Sequence, residues 1–245
     1  MSNIRKNLAA VKHHIKEVAV RSGRIADEIT LVAVSKTRSL DEVRLAIEAG
    51  QKDFGENTVQ DALSKIPELK ATKSVWHFIG HLQSKKARQI PGNFHWVHSI
   101  DSLKLAQKLS NAMTNAGENS HINCLLQVNV ADEASKSGLN RTEVVPFMDE
   151  LLQLQLPCIS LRGLMTIGVQ GDAAQTRAAF SELRLKLDEC QREFGLENFD
   201  QLSMGMSNDY PIAIEEGSTM VRIGTAIFGE RDLARILHEN AHKST

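Results

Sequence analysis

The chain has 245 residues, 42% of them hydrophobic and 24% charged, which is enough apolar material for a buried globular core. A formal net charge of -1 at pH 7 provides no field of one sign that would attract nucleic acid or an anionic membrane surface. No apolar stretch reaches membrane-spanning length, and the first residues lack the apolar centre of a signal peptide. The three cysteines are odd in number and far apart, so we expect free thiols in a reducing, cytoplasmic compartment.

The predicted elements begin with an amphipathic helix and then alternate between strands and helices. Apolar residues recur at steps of three and four from Ile4 to Val18, and Ser22-Gly23 is the expected end of this helix. The expected strands cover residues 30–35, 52–55, 75–79, 95–99, 122–130, 158–167, 200–204 and 219–224. The expected helices cover residues 40–49, 57–66, 82–90, 102–116, 141–154, 172–194, 208–216 and 230–242.

Eight strand–helix pairs in a chain of this length predict a single (β/α)8 barrel. An open, doubly wound sheet is the alternative that the same alternation allows. The sequence contains no Pro/Gly/Ser linker and no repeat that would divide it, so residues 1–245 are expected to form one domain. No large exposed apolar face is evident, and we expect a monomer.

Chemistry in such a barrel lies at the carboxyl ends of the strands. Lys36 follows the first predicted strand. Taken alone, a lysine at this position is more often an ordinary solvated loop residue. The seventh and eighth strands lead into "SMGMSND" (203–209) and "RIGTAIFG" (222–229), whose hydroxyl groups and small residues suit a phosphate group. Together these features favour a phosphorylated ligand.

A partly desolvated lysine is a nucleophile that forms Schiff bases. An aldehyde that bears a phosphate would therefore suit both Lys36 and the two phosphate-binding stretches. Pyridoxal 5'-phosphate (PLP) is the expected cofactor, and Arg222 is placed to meet its pyridine nitrogen. Arginine donates hydrogen bonds but does not give up its proton, which makes the ring a weak electron sink. A Schiff-base aldolase is the nearest rival, although Arg222 suits an aromatic nitrogen heterocycle better than a sugar phosphate.

Six stretches of the sequence resemble one protein family from about Leu31 to Arg231. They are "LVAVSKT", "DFGENTVQDALSK", "WHFIGHLQSKK", "LLQVNVADEASKSGL", "LRGLMTIG" and "LSMGMSNDYPIAIEEGSTMVRIGTAIFGER". The chain is identified as similar to the pyridoxal phosphate homeostasis proteins, also called the YggS/PROSC family, whose barrel resembles that of alanine racemase and of other fold-type III PLP proteins.

This resemblance implies a role for each matching position and for the protein as a whole. It implies a Schiff-base lysine at Lys36 and a ring-nitrogen partner at Arg222. It also implies a PLP carrier that maintains intracellular vitamin B6 supply without catalytic turnover, with PLP-dependent apoenzymes as possible recipients. Ser203 belongs to the expected cofactor-binding set as well, and the remaining implied members are Ser207, Gly224 and Thr225 around the phosphate and Asn57 and Met165 beside the ring.

A PLP-dependent amino-acid racemase is the alternative function. Racemases with a similar barrel take a second base, a tyrosine, from an additional domain. The single tyrosine here, Tyr210, stands beside Pro211, where a packing role is expected, and the sequence ends at Thr245. We therefore expect no racemase base.

Four histidines and a second lysine are the other candidates for a functional site. His77, His81, His95 and His98 lack the spacing of a metal site, and we interpret them as surface or hydrogen-bonded core residues. Lys136, in a polar loop after the fifth strand, is ordinarily a solvated lysine. The alternative is that Lys136 takes up PLP as it leaves Lys36.

Overall fold

Eight parallel strands close into a barrel in the computed structural model, which describes residues 3–117, 120–130, 137–168 and 172–230. A ninth, two-residue strand pairs with β5 outside the ring. In chain order the strands are β1 (Thr30–Val34), β2 (Asp53–Glu56), β3 (Val75–Phe78), β4 (Trp96–Ile100), β5 (Ile122–Asn129), the outer β6 (Leu139–Asn140), β7 (Ile159–Met165), β8 (Gln201–Ser203) and β9 (Met220–Ile223).

Two pairings close the ring. β4 pairs in parallel with β5, and β9 pairs in parallel with β1 from Thr30 opposite Met220 to Ala33 opposite Ile223. The predicted barrel is therefore confirmed, and the open, doubly wound sheet is wrong. Because all strands are parallel, their carboxyl ends meet at one mouth.

Helices surround the barrel, and their starts follow from local capping. At the start of α2, for example, the Glu42 N–H donates to Ser39 Oγ at 3.2 Å, and Ser39 N donates to Glu42 Oε2 at 2.8 Å, a capping box. None of the helices in the described ranges combines the length and hydropathy that a membrane span requires. The helices are α1 (Ile4–Arg21), α2 (Leu40–Glu48), α3 (Val59–Leu63), α4 (Leu103–Asn115), α5 (Val144–Gln153), α6 (Ala173–Phe194), α7 (Tyr210–Glu215) and α8 (Thr225–Phe228).

Two of the predicted helices differ from the observed ones. The expected helix 57–66 is the shorter α3, followed by a 3-10 helix over Ile66–Leu69 that contains Pro67, which has no N–H to continue α3. The expected helix 82–90 is a 3-10 helix over Ser84–Gln89. The short α8 was not predicted, and apart from residue 230 the expected closing helix 230–242 lies outside the described residues.

The amphipathic α1 lies over the seam where β9 meets β1. It packs against α2, α7 and α8, and all five of its predicted apolar positions are buried. Side chains fix it in place, because Asn7 Nδ2 donates to the Ile227 carbonyl at 3.0 Å and Lys12 Nζ donates to the Gly50 carbonyl at 3.0 Å. α1 therefore shields the closing pair of strands from water.

The two faces of the barrel wall differ in character. The outward-facing residues of the strands join the helices in one large apolar cluster. The interior holds a small separate cluster in which Leu125, Met165 and Met220 pack with Trp96. The interior also contains buried polar side chains, among them His77, His98, Ser203 and Arg222.

A glycine in β7 is required by the closeness of the neighbouring strand. Gly163 has φ +149°, and a Cβ at this position would lie 1.9 Å from the carbonyl oxygen of Gln201. The register between β5 and β7 also shifts at this point, from Cys124 opposite Leu161 to Leu125 opposite Gly163. Gly163 thus permits a local irregularity that a side chain would block.

Replacing this glycine tests the close approach of β7 and β8. We expect Gly163→Ala to lower the free energy of unfolding by roughly 3 kcal/mol, because backbone atoms must move apart. Gly92→Ala is the matched control, since Gly92 has φ +72° but nothing within 4 Å of an added Cβ. The control should lose about 1 kcal/mol in urea denaturation, and equal losses in both variants would contradict the proposed clash.

Candidate functional site

A cavity of about 620 Å³ opens at the mouth formed by the carboxyl ends of the strands. The sequence predicted five of its lining residues, which the structure brings together from the ends of three strands, β1, β8 and β9: Lys36, Ser207, Arg222, Gly224 and Thr225. The other described residues that line it are Val34, Arg38, Gly168, Ala173, Thr176, Met206, Asn208, Asp209 and Ile212.

The loop that carries Lys36 is held in an uncommon backbone conformation. Thr37 has φ +63°, in the left-handed region, which costs a β-branched residue about 1 kcal/mol or more. The Thr37 N–H donates to Asp61 Oδ2 at 2.7 Å. On the far side of the loop, Arg38 donates to the carbonyls of Phe228 and Gly229. These contacts fix the backbone on the carboxyl side of Lys36.

A buried ion network lies beneath the same loop, on the outer side of the barrel wall. Lys65 Nζ donates to Glu56 Oε1 at 2.8 Å, and it lies 2.9 Å from Asp61 Oδ1. Lys65 also donates to the carbonyl of Ser35 at 2.8 Å, and the Ser35 hydroxyl donates to Glu56 Oε1 at 2.6 Å. Ser35 precedes Lys36, so the network ties that backbone to α3.

Glu56 is the most strongly perturbed carboxyl group of this network. Its side chain is fully buried, and its Oε2 atom has no hydrogen-bond partner among the described residues. Burial raises the pKa of Glu56 from 4.5 to about 7, although the neighbouring Lys65 opposes the shift. Glu56 and Asp61 share one ammonium group, so a proton on Glu56 relieves the crowding of negative charge.

Arg222 presents a buried cation to the cavity. Only 4% of the residue is exposed. Its Nη1 donates to Ser203 Oγ at 2.7 Å, and its Nη2 donates to the Thr166 carbonyl at 2.8 Å. Burial lowers the pKa of Arg222 to about 10, with Asp209 opposing that shift, so the side chain stays positively charged at neutral pH.

The loops after β8 and β9 meet on the other side of the cavity. The Ala226 N–H lies 3.5 Å from Ser207 Oγ, to which it donates. Gly205 has φ +93°, and a Cβ there would come within 2.5 Å of Ala213 Cβ. Asp209 occupies the N-cap of α7 without a capping bond, and its Oδ1 accepts instead from the Met206 N–H. This bond folds the loop back on itself.

These features agree with comparisons to known proteins. The alanine racemase N-terminal domain family matches residues 6–232. A pyridoxal phosphate homeostasis protein of Pseudomonas aeruginosa is 49% identical over 234 residues, covering 95% of this chain and 97% of that protein. The Escherichia coli K12 pyridoxal phosphate homeostasis protein is 43% identical over 248 residues, covering 96% and 100%. The chain belongs to the pyridoxal phosphate homeostasis protein family.

A solved structure extends the comparison to three dimensions. PipY of Synechococcus elongatus PCC7942, in a structure with PLP bound, shares 36% sequence identity with this chain and has a TM-score of 0.79. The match covers 92% of this chain and 100% of PipY. The family resemblance inferred from the six sequence stretches is thus confirmed, and so is the alanine-racemase-like barrel.

Three of the predicted cofactor-binding residues lie away from the described cavity wall. Met165 is buried in the interior cluster with Leu125 and Met220, and Ser203 is buried behind Arg222. Asn57 is half-buried at the end of β2, where its carbonyl oxygen lies 2.0 Å from the position of a Cβ on Gly80. Their expected contacts with a bound ring remain predictions.

The tyrosine and the histidines have the structural roles that the sequence favoured. Tyr210 faces α1, where its hydroxyl lies 2.5 Å from His14 Nδ1. His77 and His98 are buried and hydrogen-bonded, whereas His81 is exposed and lies 3.6 Å from Asp101 Oδ2. No cluster of three or more potential metal ligands occurs in the described parts of the chain.

Arg38 and the ion network around Lys65 were not predicted from the sequence, and Asp209 was expected only as part of the "SMGMSND" stretch. The one available signal was a lysine in the apolar stretch "DALSKIPEL", close after the carboxylates Glu56 and Asp61. A lysine flanked by buried positions needs a partner, since an unpaired charge is costly to bury. Which carboxylate it meets depends on how α3 packs against β2.

The raised pKa of Glu56 makes a prediction about stability and pH. The folded state binds the Glu56 proton more tightly than the unfolded state does. The stability that this gives is fully present below pH 4.5 and is lost as pH rises through about 7. Glu56→Gln is neutral throughout. We therefore expect the unfolding free energy of the wild type to fall relative to Glu56→Gln across this window.

Urea denaturation of both proteins at several pH values measures this difference. Glu48→Gln makes the same chemical change at an exposed position of α2 and serves as the control. Parallel curves for the wild type and Glu56→Gln would show that Glu56 does not bind a proton on folding.

Proposed function

We propose that this protein binds PLP covalently through Lys36 and maintains the intracellular supply of this cofactor. The observation that carries the proposal is the convergence of Lys36, the Arg222 cation and the Ser207 hydroxyl on one cavity. Its volume of about 620 Å³ lies within the range of small-molecule sites. The names of the curated relatives and the PLP-bound structure of PipY support the same cofactor.

The chemistry of the lining residues fits the parts of PLP. Lys36 supplies the amine for the aldehyde, and Arg222 supplies fixed N–H donors for a ring nitrogen. Ser207 and Thr225 bring hydroxyl groups to the loops after β8 and β9, where barrels commonly hold phosphate. Gly224 lets the chain after β9 pass close to β1, because a Cβ there would lie only 3.3 Å from the Val34 carbonyl oxygen.

We further propose that the protein carries PLP without catalytic turnover. When bound, PLP would supply an electron-withdrawing ring, but Arg222 holds its own proton and so does not strengthen that property. Tyr210, the candidate second base of a racemase, is engaged with His14 on the outer side of α7. These two features favour a carrier over the racemase alternative.

The remaining expectations concern partners and location. PLP-dependent apoenzymes are the expected recipients, and the protein is expected to act as a monomer in the cytoplasm. All three cysteines are free thiols, and burial raises the pKa values of Cys124 and Cys190, which makes both poor nucleophiles. Lys136, the candidate for a second PLP-binding amine, lies outside the described residues, and its role stays a prediction.

Removing the Lys36 amine tests the covalent site. We expect Lys36→Ala to abolish PLP labelling at this cavity after borohydride reduction, because none of the other lining residues that the structure describes provides a nucleophilic amine. Peptide mass spectrometry locates the label, and circular dichroism checks the fold. Lys85→Ala, at an exposed position, is the matched control and should label like the wild type. Undiminished labelling of Lys36→Ala would overturn the assignment.

Changing the charge of residue 222 tests the partner of the ring nitrogen. Arg222→Glu offers an acid that can share its proton with the ring, so we expect a shifted visible band and faster transamination side reactions. Arg222→Gln retains donors without an exchangeable acid and is the matched control. If Arg222→Glu binds PLP with the spectrum of Arg222→Gln, residue 222 does not contact the ring nitrogen.

A further inference from the structure

A continuous chain of hydrogen bonds crosses the barrel interior and ends at Arg222. Asp53 Oδ1, at the amino-terminal end of β2, lies 3.1 Å from His77 Nε2, and His77 Nδ1 lies 2.9 Å from His98 Nε2. His98 Nδ1 lies 2.9 Å from Ser203 Oγ, which accepts from Arg222 Nη1 at 2.7 Å. We call these five residues the interior relay.

The two ends of the interior relay fix the direction of every bond in it. Arg222 has no acceptor, so Ser203 Oγ accepts from it, and the Asp53 carboxylate at the other end accepts from His77 Nε2. With both rings neutral, His98 Nδ1 is then left to accept the proton of the Ser203 hydroxyl. His98 then carries its proton on Nε2 and donates to His77 Nδ1. His77 in turn carries its proton on Nε2 and donates to Asp53, which matches the need of a carboxylate for donors.

Burial supports this arrangement of protons. His77 and His98 are completely buried, and burial lowers the pKa of each, so both rings are neutral at physiological pH. The ring of His77 also stacks against Trp96 with 5.7 Å between centroids and 7° between planes. Packing and hydrogen bonding therefore restrict the same imidazole. Asp53 is the one partly exposed member, with 26% of its side chain accessible.

We propose that His98, His77 and Asp53 are positioning residues for Arg222 and act on it through the Ser203 hydroxyl. This proposal rests on the proposed role of Arg222 at the ring nitrogen of PLP. Neither His77 nor His98 lines the described cavity, and no sequence motif links either residue to cofactor binding.

The proposed action is geometric. With its proton committed to His98, Ser203 presents a lone pair toward Arg222 Nη1, while the Thr166 carbonyl accepts from Nη2. Two acceptors on different strands define the plane of the guanidinium group, and its remaining N–H groups are left for the cavity. Without an acceptor at position 98, the Ser203 hydroxyl is free to rotate and the plane of Arg222 is less strictly fixed.

Four variants test this action in PLP-loaded protein. His98→Leu removes the acceptor, and we expect a shifted visible band and PLP affinity about fivefold weaker, the size expected when one buried hydrogen bond is lost. His98→Asn places an oxygen near the former Nδ1 and should restore most of both properties. Ser203→Ala should resemble His98→Leu, and the double variant Ser203→Ala/His98→Leu should show no further change, because both act through one hydroxyl.

The matched control is His95→Leu, which removes an exposed histidine just before β4. His95 Nδ1 accepts from the Trp76 N–H and takes no part in the interior relay. This variant should keep the wild-type band and affinity. Additive effects in the double variant, or an unchanged band in His98→Leu, would overturn the proposal even if Lys36 binds PLP normally.

A second measurement needs no cofactor and no disruptive variant. Nitrogen NMR of labelled imidazoles in the wild type should show both His77 and His98 protonated on Nε2 and unprotonated on Nδ1. Asp53→Asn removes the carboxylate that fixes these tautomers, and the preference of His77 should weaken. Asp27→Asn removes a charge from an exposed residue at the same end of the barrel and should leave it unchanged. Protonation of either ring on Nδ1 in the wild type would contradict the relay.

Discussion

The burial of a permanent cation in the barrel interior is the constraint on which the site depends. Arg222 is only 4% exposed, and a guanidinium group taken out of water must find acceptors for its N–H groups. Ser203 and the Thr166 carbonyl meet part of that need, and Asp209 contributes favourable charge. The hydrogen bonds from Ser203 through His98 and His77 to Asp53 follow from the same need. Ser203 and each histidine both accept and donate a proton, so each needs an acceptor of its own, and the Asp53 carboxylate is the last one.

The barrel wall separates two polar networks with related purposes. On its inner side the interior relay meets Arg222, and on its outer side the ion network around Lys65 meets the backbone of Ser35, beside Lys36. Lys36 and Arg222, the two residues proposed to contact PLP, are therefore supported from opposite sides of the wall, although β2 contributes Asp53 to one network and Glu56 to the other. Because the networks share no residue, a change in one does not directly loosen the other.

Much of the fold was predictable because its signals are local. Apolar runs separated by helical patterns gave the eight strands and the closed barrel, and the spacing from Ile4 to Val18 gave α1. The errors were local as well, since Pro67 stops a helix that hydrophobic spacing alone would continue, and that spacing does not distinguish the 3-10 helix over Ser84–Gln89 from an α-helix. Strand-end positions likewise gave five residues that line the cavity, because parallel strands bring their carboxyl ends together.

The interior relay was not predictable from spacing. A residue's face depends on the register of its strand, and the pairing of β4 with β5 is irregular between Val97 and Ile100. His98 faces the interior together with Trp96, two residues earlier, but alternation alone does not show which face of β4 is the interior one or that His77 of β3 lies beside His98. Lys65 poses the same problem, since its partner Glu56 is set by the packing of α3 against β2 rather than by the sequence between them.

These two networks bear directly on the choice between a carrier and an enzyme. Catalysis on PLP commonly relies on groups that give and take protons during turnover. Here Arg222 keeps its proton, the two relay histidines are neutral and committed to their neighbours, and Tyr210 is bonded to His14. The lysine, by contrast, stands on a loop whose backbone is fixed on both sides, by the Ser35 carbonyl and by Thr37. This arrangement supports the proposed carrier role, because it fixes the backbone beside the proposed attachment point and holds the nearby protons on Arg222, His77 and His98 in place.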